Sequence, residues 1–263
     1  MKIILTGTTG FVGLAVLQYC INSPYIHHIY SLTRSPLPAQ YSSNPKVTEI
    51  IHRDFTSWPG PQLQTLRDAG VNGCIWCLGG ALTRFSSHDE AMTANVSYAI
   101  QAAEAFVKDL IPRPSDVAEE VVAPNSKKGS QGKGRKKQPF RLVYMSVAWA
   151  EQNQFRSLWS QAQTRKMKGA AEKGLFEIAD GDTASGMLEV YCFRLGRVLP
   201  GGQTMGNVAT QSVSTCVSVE RVAKRAHDYI VDGGRAGDNG EIERIVENAT
   251  VLGEDWADIN TIS

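Results

Sequence analysis

The amino-terminal segment carries the feature that most limits how this chain can fold: an apolar run that meets three regularly spaced glycines. The run Lys2–Thr6 is too short for a helix and leads directly into Gly7, Gly10 and Gly13. From Phe11 onwards, apolar residues recur at the spacing of a helix with a buried face. This order predicts a strand, a glycine-rich turn and a helix.

Each glycine has a separate role in such a unit. Gly7 lets the chain turn off the strand, Gly10 lets backbone N–H groups approach a pyrophosphate, and Gly13 lets the helix pack closely. The phosphate then lies on unpaired N–H groups at the positive end of the helix. A purely structural turn is the alternative, but the strand and helix on either side favour a dinucleotide site. The residues of that site are Gly7, Thr8, Thr9, Gly10, Phe11, Val12 and Gly13.

Apolar strand patterns and helical patterns alternate along the rest of the chain. Strands are predicted at residues 28–33, 47–52, 73–81, 141–148 and 188–201, the last including its exit turn. Helices are predicted at residues 11–21, 96–110, 161–178 and 219–231. Gly174 favours an early end to the third helix, and only a polar tail is expected after residue 231.

The alternation predicts an α/β fold with a doubly wound, mostly parallel sheet covered by helices, the Rossmann arrangement. A chain of 263 residues has the length of one such domain. We therefore expect residues 1–263 to form a single domain with a small carboxyl-terminal extension.

Side chains just past the predicted strands bear on which dinucleotide is bound. Arg34 stands where a carboxylate would accept from the ribose of NAD; an arginine there offers donors to a 2′-phosphate. A solvated surface arginine is the alternative, and we favour NADP(H) over NAD(H). Asp54 is placed to hold the adenine amino group. Leu78, Gly79 and Gly80 end a buried strand over which the cofactor would lie.

One segment departs from the composition of the rest. Residues 112–139 are rich in proline, glycine, serine and lysine, and residues 125–138 contain no apolar side chain. This composition predicts a disordered loop, with nuclear localisation or binding of an acidic partner as the alternative. Without the loop's cations the chain is mildly acidic, which argues against a nucleic-acid-binding face. Those cations are Lys127, Lys128, Lys133, Arg135, Lys136 and Lys137.

The cysteines and the hydropathy pattern bound the location. Five cysteines, an odd number, do not indicate a disulfide framework and favour a reducing compartment, so we expect a cytoplasmic protein. Cys74 and Cys77 lie within an apolar strand pattern without a second pair, so neither a redox pair nor a metal site is expected. No run is long enough for a membrane span, and the sequence predicts neither a membrane span nor a signal segment before the first strand.

Four motifs in this order resemble the atypical and extended short-chain dehydrogenase/reductases. They are Thr6-Gly7-x-x-Gly10-Phe11-x-Gly13, Ser146 at the end of the fifth strand, Lys168-Gly169-x-x-Glu172, and Arg194-Leu195-Gly196-Arg197-Val198-x-Pro200-Gly201. The stretch Lys166-Met167-Lys168-Gly169 is most similar to the HIV Tat-interacting-protein-like branch, which includes fungal mitochondrial-outer-membrane Rossmann proteins. The resemblance covers residues 1 to about 231 without the basic loop. Through that branch, a peripheral position on the mitochondrial outer membrane is an alternative location.

The resemblance implies an oxidoreductase site with one member replaced. In the family a serine polarises the substrate carbonyl, and a tyrosine four residues before a lysine transfers the proton. The lysine lowers the pKa of that tyrosine and binds the nicotinamide ribose. Ser146 and Lys168 match these positions, but Thr164 stands where the tyrosine would, and an alkyl hydroxyl is a far weaker acid than a phenol. Tyr144 is expected to point inward from its strand.

Two functions follow from these residues. The chain is either an NADP(H)-dependent oxidoreductase that uses Ser146 with water or another group as proton donor, or a dinucleotide-binding sensor or scaffold without turnover. The lost tyrosine favours the second, whereas the glycines, Ser146 and Lys168 favour the first. The substrate, an unknown carbonyl or alcohol, is not identified because the region that would line its pocket has no readable motif.

Overall fold

The computed structural model describes residues 1–111, 138–184, 186–201, 216–234 and 242–252. The expected disordered loop at residues 112–139 lies, apart from its last two residues, outside this description. Helices and strands alternate along the described chain, as the apolar pattern predicts.

Seven parallel strands form the central sheet of the described residues, which confirms the predicted α/β class. They are β1 (Lys2–Thr6), β2 (His28–Thr33), β3 (Val47–Ile51), β4 (Gly73–Trp76), β5 (Phe140–Val147), β6 (Leu188–Leu195) and β9 (Ile245–Glu247). Their order across the sheet is β3-β2-β1-β4-β5-β6-β9. Two short strands, β7 (Arg197–Leu199) and β8 (Cys216–Ser218), pair with each other in parallel.

The connecting segments are largely helical. The helices are α1 (Phe11–Asn22), α2 (Ala39–Ser42), α3 (Gly60–Asp68), α4 (His88–Met92), α5 (Tyr98–Ala105), α6 (Ala162–Asp180), α7 (Val219–Asp232) and α8 (Asn248–Leu252). A 3₁₀ turn covers Leu82–Arg84, and π-helical segments at Thr93–Ser97 and Phe106–Leu110 continue α4 and α5. Residues 88–110 therefore form one uninterrupted helical segment after β4.

The sheet has an apolar core on each face, because neighbouring residues of a strand point in opposite directions. In β1, Ile3 and Leu5 belong to one core and Ile4 belongs to the other. Helices α1 and α7 cover the first face, and α3, α5 and α6 cover the second. Burial on both faces explains why the strands are continuous apolar runs in the sequence.

The strand order reverses between β1 and β4, and this reversal locates the ligand crevice. From β1 the chain proceeds outward through β2 and β3, then crosses back to continue with β4 on the other side of β1. At such a point the helices that follow the two strands diverge and leave a crevice at the carboxyl ends of the strands. The glycine turn after β1 lies at this point.

Helix α6 does not end early, although Gly174 predicted that it would. It continues to Asp180 because its buried face lies on both sides of the glycine, with Ala171 and Leu175 fully buried and Ala179 nearly so. Packing of this face outweighs the intrinsic cost of about 1 kcal/mol for a glycine within a helix.

Strands β4 and β9 also differ from the prediction. Strand β4 ends at Trp76 rather than at residue 81, because its partner β1 ends opposite it at Thr6. The expected polar tail contains β9, which pairs with β6 and fully buries Val246. Two apolar residues, Ile245 and Val246, between charged neighbours are too weak a signal in the sequence, so pairing with the sheet decides this strand.

Candidate functional site

A cleft of about 250 Å³ opens at the carboxyl ends of β1, β4, β5 and β6. Its walls come from the turn after β1, the segment after β4, the last residues of β5 and helix α6. Distant parts of the sequence meet here because parallel strands bring their carboxyl ends to the same edge of a sheet. The cleft therefore lies at the edge of the sheet where the sequence predicts the ligand site.

The turn after β1 is held by backbone contacts. Gly7 adopts a φ of 70°, and its carbonyl oxygen accepts a hydrogen bond from Gly10 N at 2.9 Å. A Cβ on Gly13 would lie 2.2 Å from Gly7 O, so helix α1 packs against the turn more closely than any side chain permits. Both positions therefore require glycine for the reasons expected from the sequence.

The start of α1 faces the cleft without a side-chain cap. Gly10 is the N-cap residue and is exposed, and the first turn contains no acidic residue. The first N–H groups of a helix have no partner within the helix, and they carry the positive end of its dipole. Phe11, Val12 and Gly13 line the cleft at this point. The arrangement suits an anion such as a phosphate.

The structure brings most of the predicted site residues together. Those that line the cleft are Gly10, Phe11, Val12, Gly13, Leu78, Gly79, Gly80, Ser146 and Lys168. Those that do not are Gly7, Thr8, Thr9, Arg34, Asp54 and Thr164. Gly7 and Thr9 belong to the turn after β1 but are not part of the lining.

Three of the residues outside the cleft have other surroundings. The buried Thr8 hydroxyl lies 2.8 Å from Ser31 Oγ on β2. Asp54 accepts hydrogen bonds from the backbone and hydroxyl of Thr56, and these bonds lower the pKa of its carboxyl. Arg34 is exposed just past β2. The adenine-side expectations for Arg34 and Asp54 stay predictions.

Lys168 reaches the cleft from the buried side of α6. It is 5% exposed, and Nζ donates to Tyr144 Oη at 3.1 Å and to Met145 O at 3.0 Å. Nζ also lies 4.7 Å from the centroid of the Tyr144 ring. Burial disfavours the ammonium form and lowers the pKa of Lys168 to about 8. Thr164 lies one turn before it on α6, as the family pattern requires.

Tyr144 points inward from β5, as expected. It is fully buried, and its hydroxyl donates to Asn95 O at 2.8 Å. Burial raises the pKa of Tyr144 well above its ordinary value. A tyrosine therefore touches Lys168, but it lies beneath the cleft rather than in its lining.

Ser146 lies in the cleft lining, yet its hydroxyl is directed into the protein. Ser146 Oγ donates to Glu172 Oε1 at 2.6 Å. Glu172 is fully buried and accepts two further bonds from Arg194, Nε to Oε1 at 3.1 Å and Nη2 to Oε2 at 2.7 Å. The carboxylate raises the pKa of Arg194 above its ordinary value. The single proton of Ser146 is thus used by Glu172 in this arrangement.

Sequence reasoning missed several residues of the site. Arg84 and Cys77 line the cleft. Asn95 accepts a bond from Gly80 N at 3.0 Å through Oδ1, and so fixes the segment after β4. The sequence marks Cys77 only through its C-x-x-C spacing with Cys74, which does not predict a position in the cleft. Arg84 and Asn95 stand in segments without a recognisable motif, so no signal in the sequence marks them.

Comparison with known proteins finds no matching protein-family model and no matching curated protein. Among solved structures, the chain is similar to yeast methylglyoxal/isovaleraldehyde reductase Gre2 complexed with NADPH (TM-score 0.62, 12% identity, 94% of this chain and 77% of that one). It is also similar to MoeE5 in complex with UDP-glucose and NAD (0.60, 16%, 94% and 75%). A third is a short-chain dehydrogenase/reductase from Vibrio parahaemolyticus (0.56, 16%, 94% and 96%).

At these identities the likeness concerns the fold alone. The chain has the Rossmann fold of these structures, which confirms the predicted fold class. The finer resemblance to the Tat-interacting-protein-like branch stays a prediction. Within the described ranges, no helix combines the length and apolar character that a membrane crossing requires.

Proposed function

We propose that this protein is an NADP(H)-dependent oxidoreductase acting on a carbonyl or alcohol substrate, with an altered active site. The observation that carries the proposal is the meeting of an uncapped helix start with Lys168 in one cleft. The first suits a pyrophosphate, and the second suits the reacting end of a nicotinamide dinucleotide. The solved structures of the same fold that contain NAD or NADPH support this choice.

The residues present fit a dinucleotide. The pyrophosphate would be held by the first N–H groups of α1, where exposed Gly10 leaves the backbone uncovered. A Cβ on Gly10 would meet Gly7 O at 3.2 Å, so a larger residue there would fill the ligand's space rather than break the fold. Lys168 would hold the nicotinamide ribose. When bound, NADPH supplies a hydride to the substrate.

The choice of NADP(H) over NAD(H) depends on Arg34. Its position just past β2 is the one that, in this fold, lies beside the adenosine ribose. A guanidinium there donates to a 2′-phosphate, whereas a carboxylate repels it. Asp54, past β3, is proposed to hold the adenine amino group.

The altered active site favours one alternative, a dinucleotide-binding sensor or scaffold without turnover. Thr164 does not line the cleft, and the Ser146 hydroxyl donates its hydrogen bond to Glu172. Neither of the two protons of the family pattern, that of the tyrosine and that of the serine, is therefore available to the substrate. The alternative keeps the binding half of the proposal and removes the chemistry.

A titration separates these possibilities. Purified protein is titrated with NADPH and with NADH, using the fluorescence of the reduced nicotinamide, and then supplied with a panel of aldehydes and ketones. We expect saturable binding, tighter for NADPH, and slow turnover. Binding without turnover of any carbonyl would support the sensor, and binding of neither dinucleotide would refute both functions.

The remaining expectations concern the rest of the chain. A single domain, a cytoplasmic location and an acidic partner for the basic loop stay predictions from the sequence. The position on the mitochondrial outer membrane is an alternative that depends only on the family resemblance.

A further inference from the structure

The hydroxyl groups nearest the cleft are each unable to give a proton to a substrate. Thr164 lies outside the lining, Ser146 donates to Glu172, and Tyr144 is buried and donates to Asn95 O. Each hydroxyl has one proton, and a proton already donated to a buried acceptor is costly to withdraw. If the proposed oxidoreductase turns over, its proton comes from another group.

Lys168 has a proton to give. Its ammonium carries three N–H groups, and the described residues accept two of them, at Tyr144 Oη and Met145 O. Within the described chain, the third N–H has no acceptor at hydrogen-bond distance. Lys168 belongs to the cleft lining, so this N–H is the one left for a ligand.

The glycine after β4 keeps the space beside Nζ open. A Cβ on Gly79 would lie 2.9 Å from Nζ and 2.6 Å from Asn95 Oδ1. Gly79 also has a φ of 119°, which side chains rarely permit. Gly79 and Lys168 both line the cleft, so the space that a side chain would fill lies beside the amine at the cleft wall.

The surroundings of Lys168 bring its pKa into the range that suits a proton donor near neutral pH. The titratable groups around it are Cys77 on the segment after β4, Tyr144 on β5, Cys192 on β6 and Glu172 on α6. Burial raises the pKa of both thiols and of the phenol, so these three stay neutral, and Arg194 neutralises Glu172. Burial then lowers the pKa of Lys168 to about 8, and a proton donor works best when its pKa is near the working pH.

We propose that Lys168 Nζ is the group that exchanges a proton with the substrate oxygen, a catalytic role that the family pattern gives to the missing tyrosine. This inference rests on the proposed function, and it gives the one free N–H of Lys168 to the substrate oxygen in place of the nicotinamide ribose. In reduction the carbonyl carbon gains a hydride, whose source is the reduced nicotinamide dinucleotide, which becomes oxidised. The electron pair of the C=O π bond moves to oxygen, and oxygen takes a proton from the Lys168 ammonium. The neutral amine regains a proton from water.

The first test needs neither dinucleotide nor substrate. In protein labelled with ¹⁵N-lysine, side-chain NMR follows each ammonium against pH in the wild type, in Lys168→Arg and in Lys173→Arg. Lys173 is a matched control because it lies on the same helix but is exposed. We expect one amine with a midpoint near 8 that Lys168→Arg removes and Lys173→Arg retains. If every lysine titrates near its ordinary value of about 10.4, the proposal is wrong.

The second test uses turnover. Reduction requires the ammonium, so its kcat should fall as pH rises through the midpoint found by NMR, whereas alcohol oxidation should rise through it. Lys168→Arg keeps the positive charge but not a transferable proton, so kcat should fall on the order of a hundredfold or more while NADPH still binds. An arginine variant as active as the wild type would overturn the proposal.

A third variant covers the case in which arginine does not fit at 168. Tyr144→Phe removes one hydrogen bond from Nζ and changes little volume. Reduction should persist, with a displaced pH midpoint, if the lysine donates; loss of reduction in a folded Tyr144→Phe protein would make Tyr144 the donor instead. Failure of NADPH to bind would refute the proposed function, whereas binding together with an ordinary lysine titration would refute this inference alone.

Discussion

Two regions meet at the cleft, and they differ in what their polar groups are doing. In the turn between β1 and α1, backbone atoms set the geometry and the first N–H groups of the helix are left open. At the end of β5 and on α6, side chains are paired with one another: Ser146 with Glu172, and Lys168 with Tyr144. The first region is arranged for a ligand, whereas the second largely satisfies itself.

Under the proposed function, this difference means that binding and chemistry depend on separate groups in this fold. A phosphate site made of backbone needs only glycines at fixed positions, and the turn has them. Proton transfer needs an acidic side chain that points into the cleft, and the position that the family pattern assigns to it holds Thr164. Variants that alter one region and leave the other intact test this separation.

The first prediction removes the binding region alone. Gly10→Val should abolish measurable NADPH binding, because the side chain would occupy the space of the pyrophosphate. The fold should persist, since only Gly7 O lies near a Cβ at this position, at 3.2 Å. Gly60→Val is the matched control, with nothing within 4 Å of a Cβ there, and should bind as the wild type does. Fluorescence titration and circular dichroism measure the two properties.

If Gly10→Val binds NADPH normally, the cleft is not the dinucleotide site. If Gly60→Val also loses binding, the loss reflects a general effect of valine rather than a blocked site. Either result would contradict the difference between a region with N–H groups left for a ligand and a region whose side chains bond one another.

The second prediction restores the chemistry. Thr164 precedes Lys168 by one helical turn on α6, so the two residues share a face. Thr164→Tyr should raise carbonyl reduction with NADPH affinity little changed. The gain should be on the order of a hundredfold to ten thousandfold, the usual range for general acid catalysis, where the wild type has no acid of its own, and smaller where Lys168 already donates the proton. A matched control is Thr164→Phe, which has the same ring without the phenol. Equal inactivity of both variants would favour the sensor.

The sequence predicted the two regions to different depths. Gly7 and Gly13 could be assigned because their roles depend on the absence of a side chain, which is visible in the sequence. That Ser146 donates to Glu172, and that Tyr144 lies against Lys168, depends on how β5 and α6 pack. No local pattern encodes such contacts.

The same contrast holds for the fold. Long apolar runs such as β2 and β5 were found to within a residue, because burial on both faces leaves a clear signal. Strand β9 has one fully buried residue, Val246, and was missed. Gly174 suggested an end to α6 that tertiary packing overrides. The local sequence pattern therefore predicted elements that are extensively buried. It failed for elements whose extent depends on packing against another element.

The third prediction concerns stability of the chemical region. Arg194→Met would leave the fully buried carboxylate of Glu172 without its ion-pair partner. Removing one partner of a buried pair costs about 3–5 kcal/mol, so the free energy of unfolding should fall by roughly that amount. The control is Lys173→Met, which breaks the exposed pair with Glu177 and should cost at most about 0.5 kcal/mol. Denaturant unfolding measures both; equal costs would contradict the account of the Glu172 network.

The last prediction concerns the outer edge of the binding region, where Arg34 is exposed past β2. Arg34→Asp would remove the proposed charge-assisted contact to the 2′-phosphate of NADPH and add repulsion. Such a contact is worth about 1.5–3 kcal/mol, so NADPH binding should weaken roughly tenfold to a hundredfold, while NADH binding changes little.

Lys224→Asp, the same charge reversal at an exposed site on α7, controls for the net charge of the protein. Paired titrations with both dinucleotides give the ratio. Equal weakening of NADPH and NADH would mean that Arg34 does not recognise the 2′-phosphate, and unchanged binding of both would place the 2′-phosphate elsewhere. A selective loss of NADPH affinity would show that cofactor choice depends on the Arg34 side chain, in addition to the proposed phosphate site formed by the backbone after β1.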